Sequence, residues 1–439
     1  MRFVVWILLA ALTALPATPV MAVLRVDISR GVEAPIAVAV PYLPVVSGTA
    51  DGDPMLGRRL ADVIQNDLAS TGFLRAVSRT PYAMALPVAD ASRPRFAVWK
   101  SSSAQLLVSG TVSAEPGGLF TMDCRLFDVF SETQVASRTF RGRAAGWRRV
   151  GHQCANMVYE NLVGEPGYFD SRIVYVAESG TKVGRVRRLA EMDYDGANHG
   201  YLTKGRQLVS TPRFAASGNQ VAYMAFVGRV SKIYVLDLVS RDTREVAVLS
   251  GMAFGPRFSP DGKSLLMSVA KGTDVSIYAV NIVSGQAAAL TSVAGINASA
   301  SYSPDGREIV FESNRSGSQQ VYRMAANGSD QRRISFGGGS YGTPVWSPRG
   351  DMIAVTKISG GQFRIATLRP DGRGERVVTT GRHDEAPSWA SNGRAIVFTR
   401  IGRDAALPEL WMVDLIGNAS RRLETPQGGS DPSWSSALK

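Results

Sequence analysis

The sequence predicts a mixed architecture, a small N-terminal α/β domain followed by a six-bladed β-propeller closed by its own C-terminal strand. Three observations carry that prediction. A ten-residue pattern centred on an aromatic residue recurs six times, the aromatics being Phe214, Phe258, Tyr302, Trp346, Trp389 and Trp434, at spacings of 44, 44, 44, 43 and 45. Each complete copy carries a glycine-containing hairpin signal, such as PDG, SGN, PRG or SNG, between two strand-like runs. The residues ahead of the first copy do not repeat and mix apolar strand-like runs with helical spacing.

The first 22 residues, MRFVVWILLAALTALPATPVMA, join Arg2 to an apolar run from Phe3 to Leu15 and end in small side chains. The run is shorter than the about 18 residues of a spanning helix, so it reads as a secretory signal peptide with a mature start near Val23. The competing reading is an uncleaved anchor. A soluble, exported chain is expected.

Residues 23–165 form the expected α/β domain. IAVAVPYL at 36–43 reads as a buried strand. LGRRLADVIQNDLAST at 56–71 puts Leu56, Leu60, Val63, Ile64 and Leu68 on one helical face, and Gly72 stops it. AQLLVSGTVSA and FTMDCRLFDVF read as strands around the Pro-Gly-Gly turn at 116–118, and Trp147 to Leu162 reads as a second amphipathic helix. GEPGYF at 164–169 reads as a hinge.

The propeller is expected over 166–439. A period in the low forties is the length of one four-stranded blade, which buries little alone and makes its core against its neighbours. The complete copies are TPRFAASGNQVAYMAF from Thr211, GPRFSPDGKSLLMSVA from Gly255, SASYSPDGREIVFESN from Ser299, TPVWSPRGDMIAVTKI from Thr343 and APSWASNGRAIVFTRI from Ala386. The sixth, DPSWSSALK, stops after its first strand, whereas SRIVYVAES at 171–179 matches a second strand with no first. Pairing the two would close the ring and remove its free edges.

Composition excludes several classes of function. The chain has 439 residues and a formal charge of +12, but its 49 Lys and Arg are scattered, with no basic stripe interleaved with aromatics, so nucleic acid is not expected. Three histidines and two cysteines outside any CxxC give no convincing metal cluster, and no cofactor is expected. Cys124 and Cys154 could form a disulfide in an exported protein or stay as two buried thiols; spacing does not decide. Gly338-Gly339-Ser340-Tyr341-Gly342 matches G-x-S-x-G, but a strand rather than a helix follows it. Asp193-Tyr194-Asp195-Gly196 resembles the start of a calcium loop, but Lys204 stands where the twelfth-position Glu would be, and Gly196, Gly328 and Gly372 mark one recurrent turn. Binding rather than catalysis is expected, at the mouth formed by the segments entering each innermost strand. There Met252, Phe254, Ile296 and Tyr341 are apolar at positions expected to be exposed.

Leader, α/β domain and six PxWSPDG-like copies, together with VLRVDISRGVEAPIAVAVPYL, MDYDGANHGYLT and GWRRVGHQCAN, resemble the TolB family over the full length. These are periplasmic propellers of the Tol–Pal system of Gram-negative bacteria. The resemblance implies no enzyme activity. It implies a propeller mouth that docks the lipoprotein Pal and an extreme N-terminus that binds the C-terminal domain of TolA, in support of outer-membrane invagination at division and of outer-membrane integrity. Carried onto this chain, Met252, Gly255, Asn297 and Ala298 match Pal-contact positions, although Met252 and Ala298 replace the histidine and threonine of relatives. Residues 23–33, led by Val23, Leu24, Arg25, Val26, Asp27 and Ile28, match the TolA segment, which alternates apolar and polar residues and could add as a strand to a partner sheet. Other outer-membrane lipoproteins or porins are further candidate partners, and a monomer is expected. The rival reading is an exported propeller hydrolase or lyase with its site at the channel mouth.

Overall fold

The computed structural model describes residues 34–46, 53–181, 184–246, 250–403 and 405–438. The expected signal peptide, 1–22, and the partner segment, 23–33, lie outside the described residues.

The N-terminal domain runs Ile36–Ala39 (β1), Val45–Val46 (β2), Leu56–Ser70 (α1), Leu74–Ala76 (β3), Pro81–Met84 (α2), Val88–Ser92 (α3), Phe96–Ser101 (α4), Leu106–Glu115 (β4), Leu119–Asp128 (β5), Thr133–Arg143 (β6) and Trp147–Val163 (α5). Its sheet has the order β3-β1-β4-β5-β6, with β2 beside β4. β1 is parallel to β3 and β4, whereas β4, β5 and β6 form an antiparallel meander. Alternation sorts the side chains: Val38, Leu106 and Val108 face α1 and α5, and Ala37, Ala39 and Leu107 face the short helices around Ala83, Ala91 and Trp99. β1 is buried on both faces, which is why its sequence is apolar without a break. α5 ends at Gly164, whose left-handed φ of 76° lets its N–H reach the Glu160 carbonyl. Cys124 on β5 and Cys154 on α5 are joined in a disulfide that ties helix to sheet.

The second domain is a six-bladed β-propeller, six four-stranded antiparallel sheets around a central channel. Counting blades from Val209, the innermost strands are Val209–Phe214, Met252–Phe258, Asn297–Tyr302, Ser340–Trp346, Asp384–Trp389 and Gly428–Trp434. The sixth blade joins the two ends of the domain: Gly428–Trp434 pairs antiparallel with Arg172–Ser179, Gly428 facing Glu178 and Trp434 facing Ile173. Apolar clusters form between blades, for example Met224 and Val235 of the first against Leu265 and Met267 of the second.

The repeated SPDG letters have a local cause. In the second blade Ser259 Oγ donates to Asp261 Oδ1 (2.6 Å) and accepts from the Ser264 N–H (3.0 Å), while Asp261 Oδ1 accepts from the Lys263 N–H (3.0 Å). Ser303, Asp305, Arg307 and Glu308 repeat that set in the third blade. Gly262 and Gly306 complete the hairpins at a φ of 71°.

A second recurrent feature is marked in the sequence only by the proline that follows it in five of the six blades. Every innermost strand slips register once, and the residue inside the slip has positive φ: Thr211, Gly255, Ser299, Thr343, Ala386 and Asp431, between 47° and 60°. Gly255 is thus the glycine member of a six-fold bulge position, and a Cβ there would meet nothing within 4 Å. Gly255→Ala is expected to cost about 1 kcal/mol or less, measured by urea unfolding. A loss several times larger would show that this bulge, unlike its five sisters, has no room for a side chain.

The stretch read as a hinge is instead packed between the domains. Tyr168 and Phe169 are buried, Glu165 accepts from Arg394 (2.5 and 2.6 Å) and pairs with Arg349 (2.7 Å), and Asp170 takes a fork from Arg149 (3.0 and 3.1 Å). Partners from both sides replace the freedom that its Gly and Pro content suggests.

Candidate functional site: the propeller mouth

Each innermost strand enters the channel from one face and leaves it at its glycine hairpin on the other. The N-terminal domain covers the hairpin face, where Arg349, Asn392 and Arg394 of the fourth and fifth blades hold Glu165 and Pro166. The mouth is therefore the opposite face, bounded by the segments that enter the blades.

The sequence-derived mouth residues separate into two groups. Met252 is 47% exposed and Ile296 38%, both at the entrances of adjacent blades. Phe254 is half-buried and packs against the apolar cluster between the first two blades. Gly255 is the bulge residue. Asn297, Ala298 and Tyr341 are buried, and Tyr341, expected to be exposed, has no accessible surface.

Their burial has specific causes. Asn297 Nδ2 donates to the carbonyls of Val293 (2.8 Å) and Val275 (3.2 Å), and its Oδ1 accepts from Ser313 (2.9 Å) and Arg315 (2.6 Å). These bonds fix the Val293–Ile296 loop. Tyr341 Oη donates to Glu375 Oε2 (2.5 Å), and burial together with that carboxylate raises its pKa. Between the third and fourth blades Glu312 accepts from the Thr343 N–H (2.7 Å) and from Ser299 (3.0 Å); burial raises its pKa against those two donors. Asp384 takes a two-pronged contact from Arg400 (2.6 and 2.8 Å). Polar groups behind the rim thus fix the loops and leave apolar tips outside.

Three further tips escaped the sequence reading. Phe336 is 72% exposed and Val293 45%, on the loops entering the fourth and third blades, and Leu208, 47% exposed at the entrance of the first, is a third. Phe336 sits in SFGGG, where an aromatic beside three glycines has little to pack on; that was the available signal. Met252, Val293, Ile296 and Phe336 therefore line three consecutive entrances with exposed apolar side chains.

The catalytic and metal motifs fall elsewhere. Ser340 opens the strand Ser340–Trp346, and the next element is another strand. His383 stacks on Phe363 with ring centroids 4.3 Å apart, and its Nε2 lies 3.2 Å from Glu385. Asp193, Tyr194 and Asp195 form the turn that meets the N-terminal domain. There Asp67, His152 and Asp195 could together present metal-ligand atoms, but Arg148 already pairs with Asp195, and Tyr194 Oη donates to Asp67 (2.7 Å). Among the described residues no helix is long and apolar enough to cross a membrane.

Comparison with known proteins agrees with this architecture. A family model described as the TolB β-propeller domain matches residues 159–438, and one described as the TolB amino-terminal domain matches 24–135. The Tol-Pal system protein TolB of Zymomonas mobilis is 56% identical over 420 residues, covering 95% of this chain and 91% of that one. Its namesake from Rhizorhabdus wittichii is 52% identical over 441 residues, covering both chains in full. The crystal structure of TolB from Acinetobacter baumannii superposes with a TM-score of 0.80 at 24% identity, over 92% of this chain and 97% of that one, a likeness of fold.

Proposed function

The chain belongs to the TolB family of Tol-Pal system proteins, and from that membership we propose that it is a non-enzymatic periplasmic binding protein whose propeller mouth docks the lipoprotein Pal. The observation that carries this reading is the row of exposed apolar tips, Met252, Val293, Ile296 and Phe336, on the face opposite the N-terminal domain. Apolar side chains on a rigid rim lose little conformational freedom when covered, which suits a docking surface. Residues 23–33 are proposed to bind the C-terminal domain of TolA, and the two contacts to serve outer-membrane invagination and integrity.

The test is binding of purified Pal to the mature chain by calorimetry. Met252→Glu combined with Phe336→Glu is expected to weaken binding about tenfold or more, which is about 1.4 kcal/mol or more, without lowering the melting temperature. Val239→Glu, an exposed apolar site on the turn Asp237–Asp242 of the opposite face, should leave binding unchanged. Equal affinity for all three proteins would remove the mouth from the proposal.

A further inference from the structure

The residue before each repeat aromatic stands at the same place in all six blades: Arg213, Arg257, Ser301, Val345, Ser388 and Ser433. All six line one cavity of about 330 Å³ in the central channel, on the hairpin side of the bulges. The ring contains two adjacent guanidiniums, three hydroxyls and no carboxylate.

The donors of this ring exceed its acceptors. Arg213 Nη1 donates to the carbonyls of Pro212 (2.7 Å), Asp431 (3.3 Å) and Pro432 (3.4 Å), with the Asp431 carboxylate as its nearby countercharge. Arg257 makes no side-chain hydrogen bond or ion pair among the described residues, and the charged group beside it is Arg213. Arg257 is half-buried on the channel wall, where burial and that neighbour disfavour its positive charge, yet a guanidinium does not give up its proton in a protein, so an anion in the channel would be drawn to it. Ser301, Ser388 and Ser433 accept the backbone N–H of Trp346 (3.3 Å), Trp434 (3.0 Å) and Phe214 (3.1 Å) in the adjoining blade. With the oxygen accepting, each O–H is left to donate.

We propose that the channel is a binding site for a small free oxyanion, of the phosphate or dicarboxylate type, held between Arg213 and Arg257 and completed by the serine hydroxyls of the third, fifth and sixth blades. Paired guanidiniums match the oxygens of such a group two by two, and a volume of about 330 Å³ is that of a small-ligand pocket rather than of one or two waters. The site lies inside the ring and is separate from the mouth, so it does not depend on the Pal proposal.

The experiment titrates the mature chain with inorganic phosphate and, separately, with succinate, in chloride buffer of constant ionic strength, and follows heat and melting temperature. Saturable binding of either anion is the expected result; phosphate alone would assign a tetrahedral oxyanion, succinate alone a dicarboxylate. Arg257→Gln breaks no hydrogen bond within the protein, so it should melt like the parent in the absence of anion and bind about tenfold more weakly or worse. Arg213→Lys, which keeps a donor for the carbonyls, should also lose affinity. Arg307→Gln, a substitution on the exposed hairpin, should change nothing. Absence of any effect beyond that of chloride, or equal affinity in Arg257→Gln and the parent, overturns the proposal.

Discussion

Removal of residues 428–439 is expected to abolish the cooperative unfolding transition of the propeller. The closing strand contacts three blades. It pairs along Arg172–Ser179 in the sixth, the Trp434 N–H donates to Ser388 Oγ of the fifth (3.0 Å), and Ser433 Oγ accepts the Phe214 N–H of the first (3.1 Å). Trp434 also packs against Tyr168 with ring centroids 5.6 Å apart and against Tyr194 at 6.3 Å, while its Nε1 donates to Ser171 (2.8 Å). Trp434→Ala alone should therefore cost about 3–5 kcal/mol, or roughly 10 °C in melting temperature. Deleting the whole strand removes this and the ladder as well, a loss comparable to the about 5–15 kcal/mol that holds a typical domain together. It would also bare the Arg172–Ser179 edge to pairing with other chains. Calorimetry and light scattering check both effects. A truncated monomer that melts within about 2 °C of the full chain would show that the ring is held without its closing strand.

The legible parts of the sequence were those in which a local interaction demands particular side chains. The SPDG hairpins need a serine oxygen, a carboxylate and a positive-φ glycine, so the same letters return every 44 residues or so and betray the blade. α1 and α5 were legible because each has one buried face, whereas β6, half-exposed along most of its length, left no alternating pattern to read. The small helices between Pro81 and Ser101 cover the second face of β1 through Ala83, Ala91 and Trp99, too short a set to establish a period.

The mouth was legible in place and not in detail. Loop position alone suggested that Tyr341 was exposed, but Glu375, 34 residues away, draws its hydroxyl inward. The bulge was not legible because backbone geometry selects it and its occupants vary, so that only the proline following it in five blades marks it in the sequence. The channel ring, by contrast, was present in the repeat alignment all along, since its members occupy one column.

The contact between domains gives the second large effect, and it too joins residues with no local signal. Asp67 of α1 and His152 of α5 are 85 positions apart and both buried, with His152 Nδ1 2.7 Å from Asp67 Oδ2. The propeller turn contributes Tyr194, whose hydroxyl donates to Asp67 (2.7 Å), Asp193, 4.0 Å from His152 Nε2, and Asp195, which Arg148 holds. Burial opposes a charge on His152, but Asp67, Asp195 and Asp193 outweigh it and raise its pKa above the ordinary value. A group that holds its proton more tightly when folded stabilises the fold fully below its unfolded pKa of about 6.5, and that contribution fades as pH rises through the folded pKa. Stability should accordingly be higher at about pH 6 than at about pH 8.5. Asp67→Ala leaves a buried histidine and a buried tyrosine hydroxyl without their acceptor and should cost about 3–5 kcal/mol. Asp67→Asn keeps an oxygen for Tyr194 while removing the charge, so its loss should be smaller and its unfolding free energy flatter across that pH interval. Urea titrations of the three proteins at both pH values measure each quantity. If Asp67→Asn retains the parent's full pH slope, the Asp67–His152 pair is not what couples protonation to the joining of the two domains.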